Sequence, residues 1–228
     1  MSWVPWILIF VLFILMLVNF VFYFLLVTMR QNTNKRLSIP PKERKKVLKE
    51  LFEFVVDCAD ECGTKVFLTY GTLLGKIRED DIICHDFDLD LGVDDHEYEA
   101  VKEKILELAP DKYNINIKDF LGFRSIEVVD RESRLNADVF PYKISGSEAS
   151  RCVPAFYSKY ILGESCHSFD KNWLYPLQRT NFLGRECYLP NRPDKFLESW
   201  YSKNYMIPDK ICDSDCMNCR PNPAARAR

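Results

Sequence analysis

The strongest constraint on this chain is a run of apolar residues close to its N-terminus. From Trp3 to Val27 the sequence reads WVPWILIFVLFILMLVNFVFYFLLV, with Asn19 as its only strongly polar side chain. About 20 such residues suffice to cross the hydrocarbon core of a bilayer as a helix. A cleaved signal peptide would need a basic start, a shorter apolar stretch and a small-residue cleavage site, none of which is present. We therefore predict a single-pass membrane anchor over residues 1–30.

The side of the membrane on which the remaining chain lies is not fixed by its charges. Seven basic residues fall between Arg30 and Lys46, after the apolar run, and no Lys or Arg precedes it. The positive-inside rule alone would place the rest of the chain in the cytoplasm.

Composition divides the chain into four parts. Residues 31–41 are polar and basic and end in two prolines, which predicts a stem. Residues 42–208 have the patterning of a folded domain, and residues 209–228 form a cysteine-containing tail that we predict to be disordered. The formal net charge of −2 gives no footprint of nucleic-acid binding, so no nucleic-acid partner is expected.

Helical and strand-like patterns alternate along the domain, which predicts an α+β or α/β fold. The stretch from Ser147 to Trp173 has little periodicity and is predicted to be rich in loops. The predicted helices are Lys42–Cys62 with Gly63 as its stop, Gly71–Ile77, Asp95–Leu108 and Asp194–Tyr201; the predicted strands are Lys65–Tyr70, Ile82–Val93, Tyr113–Ile117, Ser125–Val129 and Ala137–Tyr142.

The motif that carries chemistry is HDFDLDLG, from His85 to Gly92. In a strand, Asp86, Asp88 and Asp90 would share one face and the apolar residues between them the other. Three carboxylates on one face repel one another unless they are solvated or neutralised. A hard divalent cation, Mg²⁺ or Mn²⁺, would neutralise them, since it takes carboxylate oxygens together with substrate phosphates.

Two other interpretations of this motif are open. The first is a solvent-exposed acidic edge strand. The second is an EF-hand calcium loop running from Asp86 to Glu97, but Leu91 occupies the sixth position, where such a loop needs glycine for its sharp turn.

A glycine-containing turn precedes the acidic motif. In the sequence YGTLLGKIR, Gly71 and Thr72 follow a predicted strand and open a predicted helix. Backbone N–H groups at such a helix start can bind a phosphate. Lys76 and Arg78 follow closely and could neutralise phosphate oxygens. These four residues are our candidates for substrate binding.

The stretch YGTLLGKIREDDIICHDFDLDLGV resembles the LicD/fukutin family, which carries a G-T-L-L-G segment, a basic position and a D-x-D-like strand. The resemblance continues at Asp138-Val139-Phe140-Pro141 and through LYPLQRTNFLGRECYLPNRPDKFLESWY, covering most of residues 65–208. It implies a nucleotidyltransferase-like fold, with a mixed sheet and flanking helices. It also implies transfer of phosphocholine or ribitol phosphate from a CDP-linked donor to a glycan.

The same resemblance assigns roles to the acidic residues. Asp88 and Asp90 match the metal-binding pair, Asp138 matches a third carboxylate on a neighbouring strand that binds metal or acts as base, and Asp86 is a helper to the metal. The resemblance also implies a lumenal domain in the Golgi or endoplasmic reticulum, against the charge rule. Two alternatives stay open: a catalytically silent member that acts as a binding module in a glycosylation complex, and a calcium-binding membrane protein.

The nine cysteines include a cluster in the tail. Cys212, Cys216 and Cys219 lie in CDSDCMNC and could begin a zinc site, with Cys166 and His167 as a distant source of a fourth ligand. Disulfides or free thiols fit the same residues better, because paired CxxC units are lacking. The odd number of cysteines leaves at least one thiol outside internal disulfides.

Overall fold

The apolar run forms one long helix. The computed structural model describes residues 4–120, 123–154, 164–213, 216 and 218–227. Helix α1 spans Val4–Ser38, and its segment Ile9–Ser38 is long and apolar enough to cross a membrane by length and composition. Within it the Asn19 amide donates a hydrogen bond to the Leu15 carbonyl one turn back. A polar side chain in lipid needs such an internal partner.

Most of the stretch that we predict to be a stem is helical. Helix α1 continues through most of residues 31–41 and stops at Ser38, because that stretch contains no proline or glycine before Pro40. Pro41 then occupies the first position of the next helix, where its missing N–H leaves no hydrogen bond unmade. Two compact units result, Met1–Ile39 and Pro40–Arg228.

The second unit contains a mixed sheet flanked by helices. Its helices are α2 (Pro41–Glu61), α3 (Tyr70–Glu79), α4 (Tyr98–Leu108), α5 (Lys171–Leu174) and α6 (Pro193–Tyr201). Its strands are β1 (Phe67–Leu68), β2 (Asp88–Asp94), β3 (Tyr113–Phe120), β4 (Phe123–Asp130), β5 (Asn136–Ser145), β6 (Glu148–Pro154), β7 (Glu164–Asp170), β8 (Gln178–Phe182), β9 (Arg185–Leu189), β10 (Lys210–Cys212) and β11 (Cys219–Pro221).

The strand order places β2 and β5 side by side near the middle of the sheet. Among the described residues the order is β3-β4-β5-β2-β1-β9-β8, with β6 and β7 extending from the end of β5. Strand β2 runs parallel to β5 and antiparallel to β1, and β4 runs antiparallel to β5. The sheet is therefore mixed, and the sequence predictions of an α+β fold and of a strand at each of β2 to β5 are confirmed.

One face of this sheet is the main core. Leu89, Leu91 and Val93 alternate with the acidic residues of β2 and are buried. Helices α2 and α4 pack against each other, and α2 also contacts β2, β4 and β5. The amphipathic pattern of residues 42–62 explains these contacts, because it places the apolar side of α2 against the sheet. Gly63, the predicted stop, has φ +71° and ends α2 in the left-handed conformation.

Two regions are more ordered than the sequence predicted. The stretch Ser147–Trp173, predicted to be loops, contains β6 and β7 paired antiparallel. The tail, predicted to be disordered, forms the β10–β11 hairpin followed by a 3₁₀ helix at Pro223–Ala227. Covalent links account for the order: the Cys212–Cys219 and Cys84–Cys216 disulfides hold the hairpin.

A third disulfide joins Cys152 of β6 to Cys166 of β7. Cys58, Cys62 and Cys187 are free. All three cysteines considered for zinc are therefore disulfide-bonded, and so is Cys166, the suggested distant ligand. The disulfide alternative holds in this structure. His85 lies within 4.8 Å of the Cys212 and Cys219 sulfurs, but sulfurs bonded to each other are not thiolate ligands.

Candidate active site

Three acidic residues on three adjacent strands form a row across the sheet. In the register of the strands, Asp90 of β2 is paired with Asp138 of β5, and Asp138 is paired with Glu127 of β4. Residues directly opposite each other on neighbouring strands point to the same face. Asp88 lies on this face too, two residues before Asp90, opposite Asn136. We call Asp88, Asp90, Asp138 and Glu127 the carboxylate row.

Asp138 is held by polar neighbours on its own face. The Asn136 amide donates a hydrogen bond to Asp138 Oδ2 at 2.7 Å. On the other side, Lys118 Nζ lies 4.0 Å from Asp138 Oδ1 and 3.4 Å from Glu127 Oε1. The Asn116 amide donates to Glu127 Oε2 at 2.9 Å. The carboxylate of Asp138 is thus fixed in orientation and buried.

The start of α3 fixes the backbone of Asp90. The Thr72 hydroxyl accepts a hydrogen bond from the Asp90 N–H at 2.7 Å, and the Thr69 N–H donates to the Asp90 carbonyl at 3.2 Å. The backbone N–H and the carbonyl of Asp90 are therefore held by Thr72 and Thr69. The structure places Thr72 as a residue that positions Asp90, because its hydroxyl already binds that N–H.

Gly71 lies directly against the carboxylates. A Cβ atom at this position would lie 3.1 Å from Asp86 Oδ2 and 3.7 Å from Asp90 Oδ2. The glycine therefore leaves room beside the acidic groups that any side chain would fill. Helix α3 begins one residue earlier than predicted, at Tyr70, so Gly71 lies in its first turn.

Asp86 reaches the site from a loop, in contrast to the sequence prediction of one strand over Ile82–Val93. Strand β2 begins only at Asp88. The preceding loop is held by Arg44 of α2, which contacts the Cys84 and Asp86 carbonyl oxygens at 3.4 and 3.5 Å and stacks on the Phe87 ring. A buried arginine in α2 thus replaces strand pairing as the constraint on Asp86.

The other two predicted phosphate-binding residues differ in position. Lys76 Nζ donates to the Asn181 carbonyl at 2.7 Å and pairs with Asp80, so the structure directs it away from the carboxylate row. Arg78 donates to the Ile207 carbonyl at 3.4 Å, and its charge is among those that act on Asp86. The structure brings Arg78 close to the acidic groups and does not bring Lys76 there.

Burial and neighbouring carboxylates make Asp86, Asp90 and Asp138 weaker acids than usual, since they raise the pKa of each. Burial, followed by the charges of Asp88 and Glu79, raises the pKa of Asp86 to about 7. Burial is also the main cause that raises the pKa of Asp138 to about 7, with Lys118 opposing it and Glu127 adding to it. Burial and the neighbouring carboxylates raise the pKa of Asp90 well above its usual value. A cation at this place would remove that penalty.

We expect the metal-free protein to lose stability as the pH rises from about 4 to about 7. The unfolded chain releases the protons of Asp86 and Asp138 near pH 4, whereas the folded chain keeps them to about pH 7. The stability that these two groups contribute is therefore fully present below pH 4. Between pH 4 and 7, each group lowers the free energy of unfolding by up to about 1.4 kcal/mol per pH unit. Urea unfolding between pH 5 and 8, in EDTA and in Mn²⁺, measures this. Mn²⁺ should flatten the slope; a metal-free stability that rises over this range contradicts the prediction.

Substitution of Gly71 should disturb the acidic groups in proportion to the size of the new side chain. We expect Gly71→Val to lower Mn²⁺ affinity by about tenfold or more, and Gly71→Ala to have a smaller effect, because Asp86 can move by a few tenths of an ångström. Mn²⁺ titration measures the dissociation constant, with circular dichroism as the check on folding. Unchanged affinity in a folded Gly71→Val protein would show that the glycine is needed only for packing.

The residues present fit a hard divalent cation. Asp86, Asp88 and Asp90 supply oxygen ligands, which Mg²⁺ and Mn²⁺ prefer, and the raised pKa values of Asp86 and Asp90 indicate that protons or a cation must balance them. The calcium-loop alternative does not fit, because residues 88–94 are a strand paired on both sides and cannot wrap around an ion. The exposed-edge alternative also fails, since β2 lies inside the sheet.

A comparison with known families agrees with this geometry. Residues 63–192 match the family described as LicD/FKTN/FKRP, nucleotidyltransferase domain, over more than half of the chain. The chain belongs to this family. The resemblance seen in its motifs is confirmed, and so is the fold that the resemblance implied. Membership supports a transferase that acts on a phosphate-linked group.

Comparisons with individual proteins add little. No curated protein matches the chain. Among solved structures, lincosamide antibiotic adenylyltransferase LnuA with bound lincomycin is similar at 12% identity and a TM-score of 0.44, covering 69% of this chain and 94% of that one. Antibiotic-resistance factor ANT(2'')-Ia is similar at 12% identity and a TM-score of 0.35, covering 44% and 50%. At such TM-scores these similarities carry no argument about activity.

The LicD/FKTN/FKRP domain contains site residues that the sequence did not reveal. Glu127 joins the carboxylate row through strand register, Lys118 lies 3.4 Å from it, and neither residue lies near a motif. A charged residue on an otherwise apolar strand, as Glu127 is in SIEVV, is the one sequence signal that could have indicated it.

Proposed function

We propose that this protein transfers a phosphate-linked group, of the phosphocholine or ribitol phosphate type, from a CDP-activated donor to a glycan hydroxyl, with Mg²⁺ or Mn²⁺. The observation that carries the proposal is the register of Asp90 beside Asp138, which gathers buried carboxyls of raised pKa at the start of α3. Structural packing alone offers no reason to bury several acidic groups together.

The proposed metal ligands are Asp88 and Asp90, with Asp86 as a helper. A bound Mg²⁺ or Mn²⁺ would neutralise the donor phosphates and the charge that develops during transfer. The protein's own part is to hold these carboxylates at fixed positions. Thr72 and Thr69 do so for Asp90, and Arg44 does so for the Asp86 loop.

Asp138 is the proposed general base. The hydroxyl oxygen of the acceptor attacks the phosphorus that carries the transferred group, the bond from that phosphorus to the CMP phosphate breaks, and CMP leaves. The hydroxyl proton passes to Asp138, whose pKa of about 7 suits a base that works near neutral pH. Asn136 occupies Oδ2 of this carboxylate, so Oδ1 is the oxygen assigned to the proton.

The proposed location is the lumen of the Golgi or endoplasmic reticulum, with α1 as the membrane anchor. Three disulfides support an oxidising compartment, since disulfides rarely persist in the cytosol. They outweigh the basic residues after the apolar run, because the charge rule is a tendency. Protease digestion of sealed microsomes tests this: the domain should be protected until detergent is added.

The direct test of activity is CMP release. The purified chain is incubated with Mn²⁺ and a panel of CDP-linked donors, including CDP-choline and CDP-ribitol, with and without a glycan acceptor. Metal-dependent CMP release that Asp88→Asn abolishes is expected. Binding of CDP without CMP release from any donor would favour the other candidate, a silent family member that acts as a binding module; the retention of Asp88, Asp90 and Asp138 argues against it.

A further inference from the structure

Arg151 is a buried cation beside the carboxylate row. It lies on β6 and is 6% exposed. Its guanidinium stacks on the Phe140 ring at 3.7 Å and lies 4.8 Å from the Tyr70 ring and 5.7 Å from the Phe123 ring. Its Nη1 donates a hydrogen bond to the Tyr70 hydroxyl. Three aromatic rings therefore surround a group that cannot lose its charge.

Within the described part of the chain, no carboxylate lies within ion-pair distance of Arg151, and its Nε has no hydrogen-bond partner. Arg124 shows the usual arrangement for comparison: it stacks on the Tyr98 ring at 4.4 Å but also pairs with Asp95 and Glu99. A buried charge that makes no direct ion pair is costly. An anion that binds at Arg151 would balance it.

The position of Arg151 connects this cation to the proposed reaction. Tyr70, its hydrogen-bond partner, immediately precedes Gly71, and Phe140 lies two residues after Asp138 on the same strand. A Cβ atom at Gly71 would lie 3.7 Å from Asp90 Oδ2, so the residues that hold the guanidinium border the carboxylate row.

Two more buried nitrogen atoms without hydrogen-bond partners lie next to it. His167 is the cross-strand partner of Arg151 on β7, and its ring lies 4.1 Å from that of Trp200, which in turn lies 4.7 Å from the Tyr70 ring. His167 Nε2 and Trp200 Nε1 are both unpartnered. Unsatisfied buried polar atoms are rare in folded proteins, so several around one tyrosine point to a ligand with acceptor oxygens.

We propose that Arg151 binds a phosphate group of the nucleotide donor, as a cation that the protein itself supplies next to the carboxylate row. This proposal rests on the proposed function and deepens it, since it assigns the residue that distinguishes a nucleoside diphosphate from the nucleoside. Arginine presents two parallel N–H donors to phosphate oxygens, and Nε together with one Nη forms that fork.

The test compares four probes on the full chain in detergent: CDP, CMP, cytidine and inorganic pyrophosphate, each with Mn²⁺ and with EDTA, by calorimetric titration. For the wild type we expect pyrophosphate and CDP to bind more tightly than cytidine. Arg151→Gln should weaken CDP and pyrophosphate by about 10- to 100-fold and leave cytidine unchanged. Arg151→Lys, which keeps the charge, should weaken both by less. Arg124→Gln is the matched control and should bind all four as the wild type does.

Each outcome decides the matter. If Arg151→Gln does not fold, Arg151→Lys carries the test through its weaker CDP and pyrophosphate binding at unchanged cytidine affinity. Equal binding of pyrophosphate by wild type and both variants overturns the proposal, as does a wild type that binds no phosphate probe. If pyrophosphate binding depends on Arg151 but no CMP is released, only the proposed transferase reaction is refuted. If CMP release depends on the aspartates but the Arg151 variants bind phosphate as the wild type does, only the role assigned to Arg151 is refuted.

Discussion

Asp90→Asn is expected to lower kcat/KM for CMP release by about 10²- to 10³-fold, the loss typical when a group that stabilises transition-state charge is removed. An amide is a poor ligand for a hard cation and cannot balance its charge. The variant should also lose the increase in melting temperature that Mn²⁺ gives the wild type. Both effects follow from the central place of Asp90, between Asp88 and Asp138 on the same face.

The same variant should not be destabilised when metal is absent. Burial and the neighbouring carboxylates already raise the pKa of Asp90, so a neutral amide relieves an unfavourable charge. Its free energy of unfolding in EDTA should equal or exceed that of the wild type, which separates loss of function from loss of fold. Asp94→Asn is the matched control, because Asp94 lies on the same strand but accepts a hydrogen bond from the Tyr175 hydroxyl at 3.0 Å. Near-normal turnover of Asp90→Asn in saturating metal would refute the assignment.

The longer helices were predictable from their periodic patterns and boundary residues, whereas the short helix α5 was not predicted. Helix α2 was expected at 42–62 and lies at Pro41–Glu61, where Pro41 begins it and Gly63 follows its end. Strands β6 and β7 were missed for the opposite reason. Their sequence does not alternate regularly, and their order depends on pairing with β5 and on the Cys152–Cys166 bond, which no local pattern reveals.

The site was predictable as far as its chemistry lies in contiguous motifs. Alternation placed Asp88 and Asp90 on one face, and the family order brought Asp138 to them, which the parallel register of β2 and β5 now shows in the structure. Glu127 and Arg151 escaped notice because neither lies in a motif, and each reaches the site only through the pairing of its strand. Arg151 in particular stands in SRCV, where nothing indicates that aromatic rings from three other elements surround it.

Loss of the Cys84–Cys216 disulfide is expected to have the largest effect on stability of any cysteine change. It closes a loop of 132 residues, against 7 for Cys212–Cys219. Loop-closure entropy gives about 5 kcal/mol for the long loop and about 2 kcal/mol for the short one. The bond also tethers the loop that leads to Asp86, because Cys84 lies two residues before it. The double variant Cys84→Ser/Cys216→Ser should therefore lose Mn²⁺ affinity as well as stability.

Urea unfolding and Mn²⁺ titration of the two paired double variants separate these effects. Cys212→Ser/Cys219→Ser removes a bond of the same hairpin but leaves the tether to Cys84, so it should keep Mn²⁺ affinity and lose less stability. In the Cys84→Ser/Cys216→Ser variant, Arg44 would still contact the Cys84 and Asp86 carbonyl oxygens, at the long distances of 3.4 and 3.5 Å. Such contacts are weak hydrogen bonds, so we expect Arg44 to hold the loop less firmly without the covalent link. Equal losses of stability in the two variants, or unchanged Mn²⁺ affinity without the Cys84–Cys216 bond, would show that the hairpin does not support the site.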